Sequence, residues 1–190
     1  MRTLIHRVSL GVALLGFGAA SQSAEWVLEP GSQVTFEYSY GTDPYEGRFT
    51  NVQANFDIDP TRPTSCKFDV TINIEDIDVD SPEVLDYLLD YELFDVDTWP
   101  TATFSAKSCR VTGVNSFESD GTLTIRDQTN PMTFPFELSL ETCDGQVCFH
   151  MTSEVEILRL EFGVGQGYWA NTAEVPNEVK IKVDVYALMQ

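Results

Sequence analysis

The sequence predicts an all-β fold, an antiparallel eight-stranded barrel with a short helix covering one end. Two observations lead to it. Apolar and polar residues alternate with a period of two in about eight segments, as in antiparallel strands with one buried and one hydrated face. One segment, between the third and fourth strands, shows helical spacing instead. Eight strands in a single domain favour a closed barrel, because closure removes the exposed sheet edges.

The chain begins with a predicted signal peptide, residues 1–24. A basic start is followed by an apolar run of 13 residues, 8–20, and by small residues up to Ala24. This order is typical of a secretory signal, and the run is shorter than the roughly 20 residues of a membrane-spanning helix. We expect cleavage after Ala24 and one domain over residues 25–190, which would be periplasmic or secreted. An uncleaved anchor is the alternative.

The expected mature domain is strongly acidic. Removing the two arginines of the signal leaves 9 basic residues against 30 acidic ones, a net charge of −21. Such a surface repels phosphate backbones and anionic lipid surfaces. We therefore expect no nucleic-acid binding, and the acidic excess by itself names no partner.

Each predicted strand is identified by apolar residues two positions apart. In chain order these residues are Val34, Phe36, Tyr38 and Tyr40; Val52, Ala54, Phe56 and Ile58; Phe68, Val70, Ile72 and Ile74; Ala102, Phe104 and Ala106; Leu123 and Ile125; Met132, Phe134, Phe136, Leu138 and Leu140; Val147, Phe149, Met151, Val155 and Ile157; and Val179, Ile181, Val183 and Val185. Turns are expected at residues 59–63, 119–121 and 129–131, which are rich in turn-forming residues.

Residues 81–94 are the exception and are predicted to form a short helix. Ser81 is a candidate N-cap, and Pro82 suits the first helical position. Apolar residues then recur at helical spacing, namely Val84, Leu85, Leu88 and Leu89. The helix would either plug one barrel end or act as a lid over a cavity.

Four cysteines lie in the expected mature domain, and an even number in an exported protein indicates disulfides. A two-residue turn at Gly145-Gln146 would place Cys143 and Cys148 directly across from each other, within reach of a disulfide. We therefore predict the pair Cys143–Cys148, which leaves Cys66–Cys109.

The second disulfide requires an irregular strand. Cys66 shares the apolar phase of its strand, whereas Cys109 is out of phase with its own. A β-bulge at residues 107–108 would correct the phase, and it would also turn Val111 inward. Zinc binding is the rival interpretation of the cysteines, but no second closely spaced pair supports it.

Few residues suggest catalysis or metal binding. His150, the single histidine of the expected domain, lies on the polar phase and is interpreted as a surface residue rather than a base. Residues 163–167 carry three glycines but lack the strand-to-helix setting of a phosphate loop. Residues 76–80 begin like a calcium loop, but Ser81 and Tyr87 stand where the glycine and the bidentate acid belong. We expect no catalytic and no metal site.

The inward face of the predicted barrel is rich in aromatic side chains. These are Phe36, Tyr38, Phe56, Phe68, Phe104, Phe134, Phe136 and Phe149. An eight-stranded barrel is either packed solid or holds one small ligand, and both remain open. Arg159 continues the inward phase of Met151. It would form a structural ion pair, for example with Glu161, or extend to the rim, or meet the polar end of a ligand.

Residues 94–106 read FDVDTWPTATFSA, and four further motif-like segments lie at residues 25–36, 47–49, 121–134 and 159–163. The first is similar to F-D-x-x-x-x-P-x-A-x-F, a signature of the YceI-like family of periplasmic, lipocalin-like, polyisoprenoid-binding proteins. The other four resemble further motifs of this family, in the family's order. The sequence also departs from the family pattern, at Glu29 and Gly31-Ser32, at Asp127-Gln128, at Glu161 and in its four cysteines.

The resemblance implies an apolar tunnel that holds a long isoprenoid chain or a similar amphiphilic lipid, such as a quinone or prenyl lipid, for transport or storage. The residues expected to contact it are Phe36, Tyr38, Phe56, Leu85, Leu88, Leu89, Phe104, Phe134, Phe136, Phe149, Met151 and Arg159. We expect a neutral, quinone-like head group beside Arg159, because the protein is so acidic. No other cofactor is expected.

The expected partners are the lipid ligand and, transiently, a membrane or a membrane redox protein. A homodimer is a further expectation, since some relatives form dimers. We expect no enzymatic activity, because the inward phase offers almost no general base. The alternatives are a solid-cored periplasmic stress or interaction protein, an enzyme acting on a lipid-like substrate, and a small outer-membrane barrel, which would leave the helix without a place.

Overall fold

The computed structural model describes residues 25–58, 62 and 64–189. The predicted signal peptide and most of the expected turn at 59–63 lie outside these residues. Within them the chain forms, in order, β1 (Glu25–Leu28), β2 (Gln33–Tyr40), β3 (Asp43–Phe49), β4 (Val52–Ile58), β5 (Cys66–Asn73), β6 (Ile77–Asp78), α1 (Pro82–Leu89), β7 (Thr101–Val111), β8 (Ser116–Ile125), β9 (Gln128–Cys143), β10 (Gln146–Leu158) and β11 (Glu178–Met189). Short 3-10 turns span Ile74–Asp76, Arg159–Phe162 and Gly167–Ala170.

Eight of these strands close into an antiparallel barrel. The order around the ring is β1, β4, β5, β7, β8, β9, β10 and β11, and β11 pairs with β1 to complete it. The all-β, eight-stranded barrel with one helix is therefore confirmed. Within the described ranges, no helix is long and apolar enough to cross a membrane.

The two ends of the barrel differ. At one end, here called the helix end, β10 finishes, β11 begins and α1 connects β6 to β7. At the other, the far end, the turns between β7 and β8 and between β9 and β10 lie beside the last residues of β11. The edge of β11 pairs with β1 near the far end and with β2 nearer the helix end. The hairpin of β2 and β3 therefore extends the wall at the helix end.

Two of the expected turns are wrong. Residues 119–121 lie within β8, and residues 129–131 lie within β9. The glycine at position 121 does not mark a turn. It is needed within β8 because the backbone of β7 passes close by, and a Cβ on Gly121 would lie 2.5 Å from the carbonyl oxygen of Ser105. The turns actually fall at residues 112–115 and 126–127.

Three strands were not predicted, namely β1, β3 and β6. β3 lacks an alternation of apolar and polar residues along its length, because only two of its seven residues, Gly47 and Phe49, are buried. β1 precedes the alternation that begins at Val34, and the chain turns between β1 and β2 at residues 29–32. β6 has only two residues and is too short for any periodicity to show.

The predicted helix is confirmed but ends earlier than expected. Ser81 is its N-cap, and the Oγ of Ser81 accepts a hydrogen bond from the N–H of Val84 at 3.5 Å. The helix stops at Leu89 instead of Phe94. The N–H of Phe94 folds back to the carbonyl oxygen of Leu88 at 3.0 Å, so the residues after the helix form a compact turn.

Both predicted disulfides are present, with Cα–Cα distances of 5.6 Å for Cys66–Cys109 and 5.7 Å for Cys143–Cys148. All four cysteines are thus paired, which overturns the zinc alternative. The expected turn is off by one residue, because it falls at 144–145. Cys143 therefore pairs with Gln146, and its disulfide to Cys148 runs diagonally.

The predicted bulge in β7 is also confirmed, since the register with β8 shifts between Ala106 and Cys109. It buries Cys109 beside Cys66. The expectation that Val111 turns inward is wrong, because Val111 is 54% exposed. It is the last residue of β7 and lies beyond the packed interior.

Candidate functional site

The barrel encloses a cavity of about 650 Å³ that is open at the helix end. Its walls come from the inward phase of the strands, and α1 covers part of it. The solid-core alternative is therefore wrong. Among the described residues that line the cavity, Arg159 alone is charged, and none is Asp, Glu, His or Lys. The interior can hold an apolar molecule but offers no carboxylate or imidazole base.

Eight of the twelve predicted contact residues line the cavity. They are Phe36, Tyr38, Phe56, Leu88, Phe104, Phe134, Met151 and Arg159. Leu85 and Leu89 are not in the lining but pack against the core from the flank of the helix. Val84, on the same face as Leu88, lines the cavity instead.

The far end of the cavity is closed by an aromatic plug. Phe149 packs against Trp26 with ring centroids 4.9 Å apart and against Phe56 at 5.3 Å, while Phe68 packs against Phe136 at 5.4 Å. Phe136 and Phe149, expected to contact ligand, belong to this plug and lie outside the lining. The inward phase was correct for both, but edge-to-face ring packing fills this part of the barrel.

The open end, here called the mouth, is lined by tyrosines and one tryptophan. Tyr40, Tyr45, Tyr87 and Tyr168 line the cavity and yet are at least 42% exposed. Trp169 lies between them, 5.5 Å from the ring of Tyr87 and 5.3 Å from that of Tyr168. Tyrosine and tryptophan suit such a boundary because one part of each ring is apolar and the other is polar.

The tyrosines of the mouth become less exposed to solvent toward the interior of the barrel. Tyr38 lies two residues before Tyr40 on β2, nearer the interior of the cavity. The ring of Tyr38 stacks on that of Tyr45, with the centroids 5.5 Å apart. Burial, and then the neighbouring Tyr45, raise the pKa of Tyr38, because removal from water disfavours the phenolate. A ligand at this point would meet rings and neutral hydroxyls.

Arg159 is buried at the helix end, with 4% of its surface exposed. Its Nε donates to the carbonyl oxygen of Pro176 at 2.9 Å, its Nη1 to Val164 at 2.9 Å and its Nη2 to Val175 at 2.7 Å. Burial lowers the pKa of the guanidinium. In the described part of the chain no carboxylate lies within ion-pairing distance, so the expected ion pair with Glu161 is wrong.

The glycine run after Arg159 explains how the loop fits around it. A Cβ on Gly165 would lie 1.8 Å from the Nη1 of Arg159, and the φ of Gly165 is +113°, a conformation that only glycine adopts readily. Val164 and Gly165 are therefore part of the wall around the guanidinium. The sequence carried this signal, because an inward arginine is followed by three alternating glycines.

Arg126 is a second arginine at the helix end, and no pattern in the sequence predicted its role. It occupies the turn between β8 and β9 with a φ of +54°. Its Nη1 donates to the carbonyl oxygens of Leu93 at 2.6 Å and Gly163 at 2.7 Å. A single arginine in a turn has no pattern that could have predicted these contacts.

The other candidate residues lie outside the cavity. His150 is on the outer face, where its Nε2 is 2.8 Å from the Oδ1 of Asp184 and its ring stacks on Tyr186 at 4.1 Å. In the candidate calcium loop, Asp76 accepts hydrogen bonds from the Nδ2 of Asn51 and of Asn73, each at 2.8 Å. Over residues 25–58, 62 and 64–189, no group of three potential metal ligands occurs.

Known proteins match this architecture. A family model, the YceI-like domain, matches residues 26–187. The chain belongs to the YceI-like family. The family resemblance seen in the sequence is thus confirmed. Among curated relatives of this YceI-like chain, a UPF0312 protein of Azotobacter vinelandii is 27% identical over 136 residues, 70% of each chain. A UPF0312 protein of Pseudomonas aeruginosa is 27% identical over 141 residues, 73% of each chain.

Solved structures show the same fold. BcnA of Burkholderia cenocepacia is 26% identical, with a TM-score of 0.72 over 82% of this YceI-like chain and 95% of BcnA. A YceI protein of Campylobacter jejuni, 22% identical, has a TM-score of 0.68 over 76% and 84% of the two chains. A polyisoprenoid-binding domain from Saccharophagus degradans, 12% identical, has a TM-score of 0.68 over 88% and 99%. At such identities the last two show the fold alone.

Proposed function

We propose that this protein is an exported, soluble, non-enzymatic carrier that binds one long isoprenoid or similar amphiphilic lipid in its cavity, for transport or storage. The observation that carries the proposal is the cavity of about 650 Å³ with a single charged residue in its wall. This volume is within the roughly 300–1,000 Å³ of ligand pockets. An alkyl chain there would gain about 0.8 kcal/mol for each buried CH2. The polyisoprenoid-binding structural neighbour supports the same ligand class.

The geometry supports one orientation of the ligand. The apolar tail would run toward the aromatic plug, and the head would remain at the mouth beside Arg159 and Trp169. We propose a neutral, quinone-like head group. Flat rings can stack on the mouth aromatics, whereas Glu174 at the rim and the net charge of −21 that remains without residues 1–24 would repel a phosphate.

The two disulfides fit an oxidising compartment. They support a periplasmic or secreted location and removal of residues 1–24. Loading would then require transient contact with a membrane or a membrane redox protein, and a homodimer remains compatible with this function. The enzyme alternative would have to use a base from outside the cavity wall.

Native mass spectrometry of protein purified without detergent tests the proposal, followed by organic extraction of any bound molecule. We expect one isoprenoid per chain, or uptake of added decylubiquinone. Val70→Trp fills the cavity, which Val70 lines, and should abolish uptake. Val114→Trp, at a site 93% exposed, is the matched control and should bind normally. An empty protein that refuses both quinones and prenyl alcohols would overturn the proposal.

A further inference from the structure

Two segments cover the helix end and are fixed to each other. We call residues 82–99 and 159–177 together the cap. The carbonyl oxygen of Glu92 accepts hydrogen bonds from the N–H of Gly165 at 3.0 Å and of Gln166 at 2.6 Å. The cap is therefore one unit, joined by main-chain bonds as well as by the contact of α1 with Trp169.

On one side the cap is held by a buried clamp, the side chain of Arg126. Beyond its bonds to Leu93 and Gly163, its Nη2 lies 3.7 Å from the Oδ2 of Asp95 and its Cζ lies 4.8 Å above the ring of Trp99. The side chain is 10% exposed. Breaking these contacts would leave two buried carbonyl oxygens without their donor, which is unfavourable because water cannot replace it there.

On the opposite side the cap is held by an exposed latch to the hairpin of β2 and β3. The hydroxyl of Tyr40 lies 3.0 Å from that of Tyr168 and 3.3 Å from the Oε2 of Glu174. Tyr168 also donates to Glu174, and the N–H of Gly41 donates to the carbonyl oxygen of Glu174 at 2.6 Å. Water can replace such exposed bonds, so they hold the cap less firmly than the buried bonds of Arg126.

Beside the latch, the wall of the barrel has a slot between β3 and α1. β6 pairs only with Arg48 and Phe49 of β3, so residues 43–47 keep a free edge. No hydrogen bond or ion pair within the described ranges joins these residues to α1. Tyr45 on β3 and Tyr87 on α1 line the cavity, although both are exposed. The cavity therefore reaches solvent between them.

We propose that a lipid enters and leaves sideways through this slot when the hairpin of β2 and β3 separates from the cap, while Arg126 holds the cap on the other side. Arg126 is thus a positioning residue, and Tyr40 and Tyr168 form the gate. Opening here breaks the latch hydrogen bonds and the edge contact between the rings of Tyr40 and Trp169, whose centroids are 6.4 Å apart, but no strand pairing. The inference rests on the proposed lipid binding, but its first test uses a probe that requires only an apolar cavity.

The release of N-phenyl-1-naphthylamine, a neutral fluorescent probe, tests the route. Preloaded protein is mixed with excess phosphatidylcholine vesicles in a stopped-flow instrument. The double variant Tyr40→Phe/Tyr168→Phe should release the probe about tenfold faster, because it loses about 1.4 kcal/mol of latch bonds. Tyr186→Phe is the matched control. It removes a tyrosine hydroxyl from the outer face of β11, where the ring of Tyr186 stacks on His150 at 4.1 Å, and its rate should be unchanged.

Arg126→Lys tests the Arg126 side of the cap independently of the latch side. It should increase hydrogen exchange of the α1 amides while changing probe release less than twofold. Unchanged release in the double variant, or equal acceleration in Arg126→Lys and the double variant, would overturn the proposed route. If the probe behaves as expected but decylubiquinone does not bind, the proposed isoprenoid ligand fails and the slot stands.

Discussion

At Arg159 a buried positive charge is stabilised by backbone dipoles. Three carbonyl oxygens, from two stretches of one loop, accept its hydrogen bonds. The alternation of apolar and polar residues along β10 correctly predicted that Arg159 points inward. Its hydrogen-bond partners could not be predicted, because every residue has a backbone carbonyl group and the sequence does not distinguish among them. The same side chain thus closes the loop and lines the cavity.

Arg159→Leu should destabilise the fold by roughly 3 kcal/mol or more, since three buried carbonyl oxygens lose their donors at about 1–3 kcal/mol each. Urea denaturation measures this. Arg110→Leu is the control: Arg110 pairs with Glu118 and Asp120 on the surface, and such exposed pairs contribute about 0–1 kcal/mol. Equal losses in the two variants would contradict the structural role of Arg159.

Tyr168 makes the mouth sensitive to alkaline pH. Its hydrogen bonds to Glu174 and then to Tyr40 raise the pKa of Tyr168 above the ordinary value. A raised pKa in the fold means that the bonded, neutral phenol stabilises the latch fully below about pH 10. That contribution is lost as the pH rises through the folded pKa. Probe release should therefore accelerate above pH 10, and Tyr168→Phe should abolish this pH dependence. An unaltered pH profile in Tyr168→Phe would exclude Tyr168 as its cause.

At the scale of elements, strands with clear alternation were predictable and strands that touch solvent on both faces were not. The bulge in β7 could be predicted because Cys109 is out of phase with the apolar residues of its strand and yet had to face Cys66. β3 could not, since it packs little against the core and bonds mainly to β2. Its free edge carries Pro44, which offers no donor, and two acids, Asp43 and Glu46, features that protect exposed edges.

The two disulfides should contribute unequally to stability. Their sequence separations are 43 residues for Cys66–Cys109 and 5 residues for Cys143–Cys148. Loop-closure entropy then predicts about 4 kcal/mol for the first and about 2 kcal/mol for the second. Paired Cys→Ala variants, compared by urea denaturation, measure the difference. An equal loss, or a larger loss for Cys143–Cys148, would contradict the entropic account.

For the whole molecule, periodicity could predict the barrel and its inward face but not the cavity. Whether inward side chains meet across a barrel depends on ring positions in three dimensions. At the far end Trp26 packs on Phe149, and Phe68 packs on Phe136, so that rings fill the interior, whereas at the helix end the inward residues leave it open. Hence eight of the predicted contacts line the cavity, while Phe136, Phe149 and two helix leucines lie outside the lining.

The whole-molecule charge predicts that salt stabilises this protein. Thirty acidic residues face 11 basic ones, so self-repulsion opposes the compact state. The exposed ion pairs, such as Lys180–Glu154 at 2.9 Å, are weak and few by comparison. Raising NaCl from about 0.1 to about 1 M shortens the Debye length from roughly 10 to roughly 3 Å, which screens repulsion more than it weakens those pairs.

The melting temperature at pH 7 should therefore rise by several degrees over this salt range. Repeating the melt near pH 4 provides the control, because about half of the carboxylates are then protonated and the effect of salt should shrink. A gain of equal size at both pH values would indicate a general salting-out effect on apolar surface rather than relief of repulsion. A fall in the melting temperature at pH 7 would mean that the surface ion pairs outweigh the acidic excess.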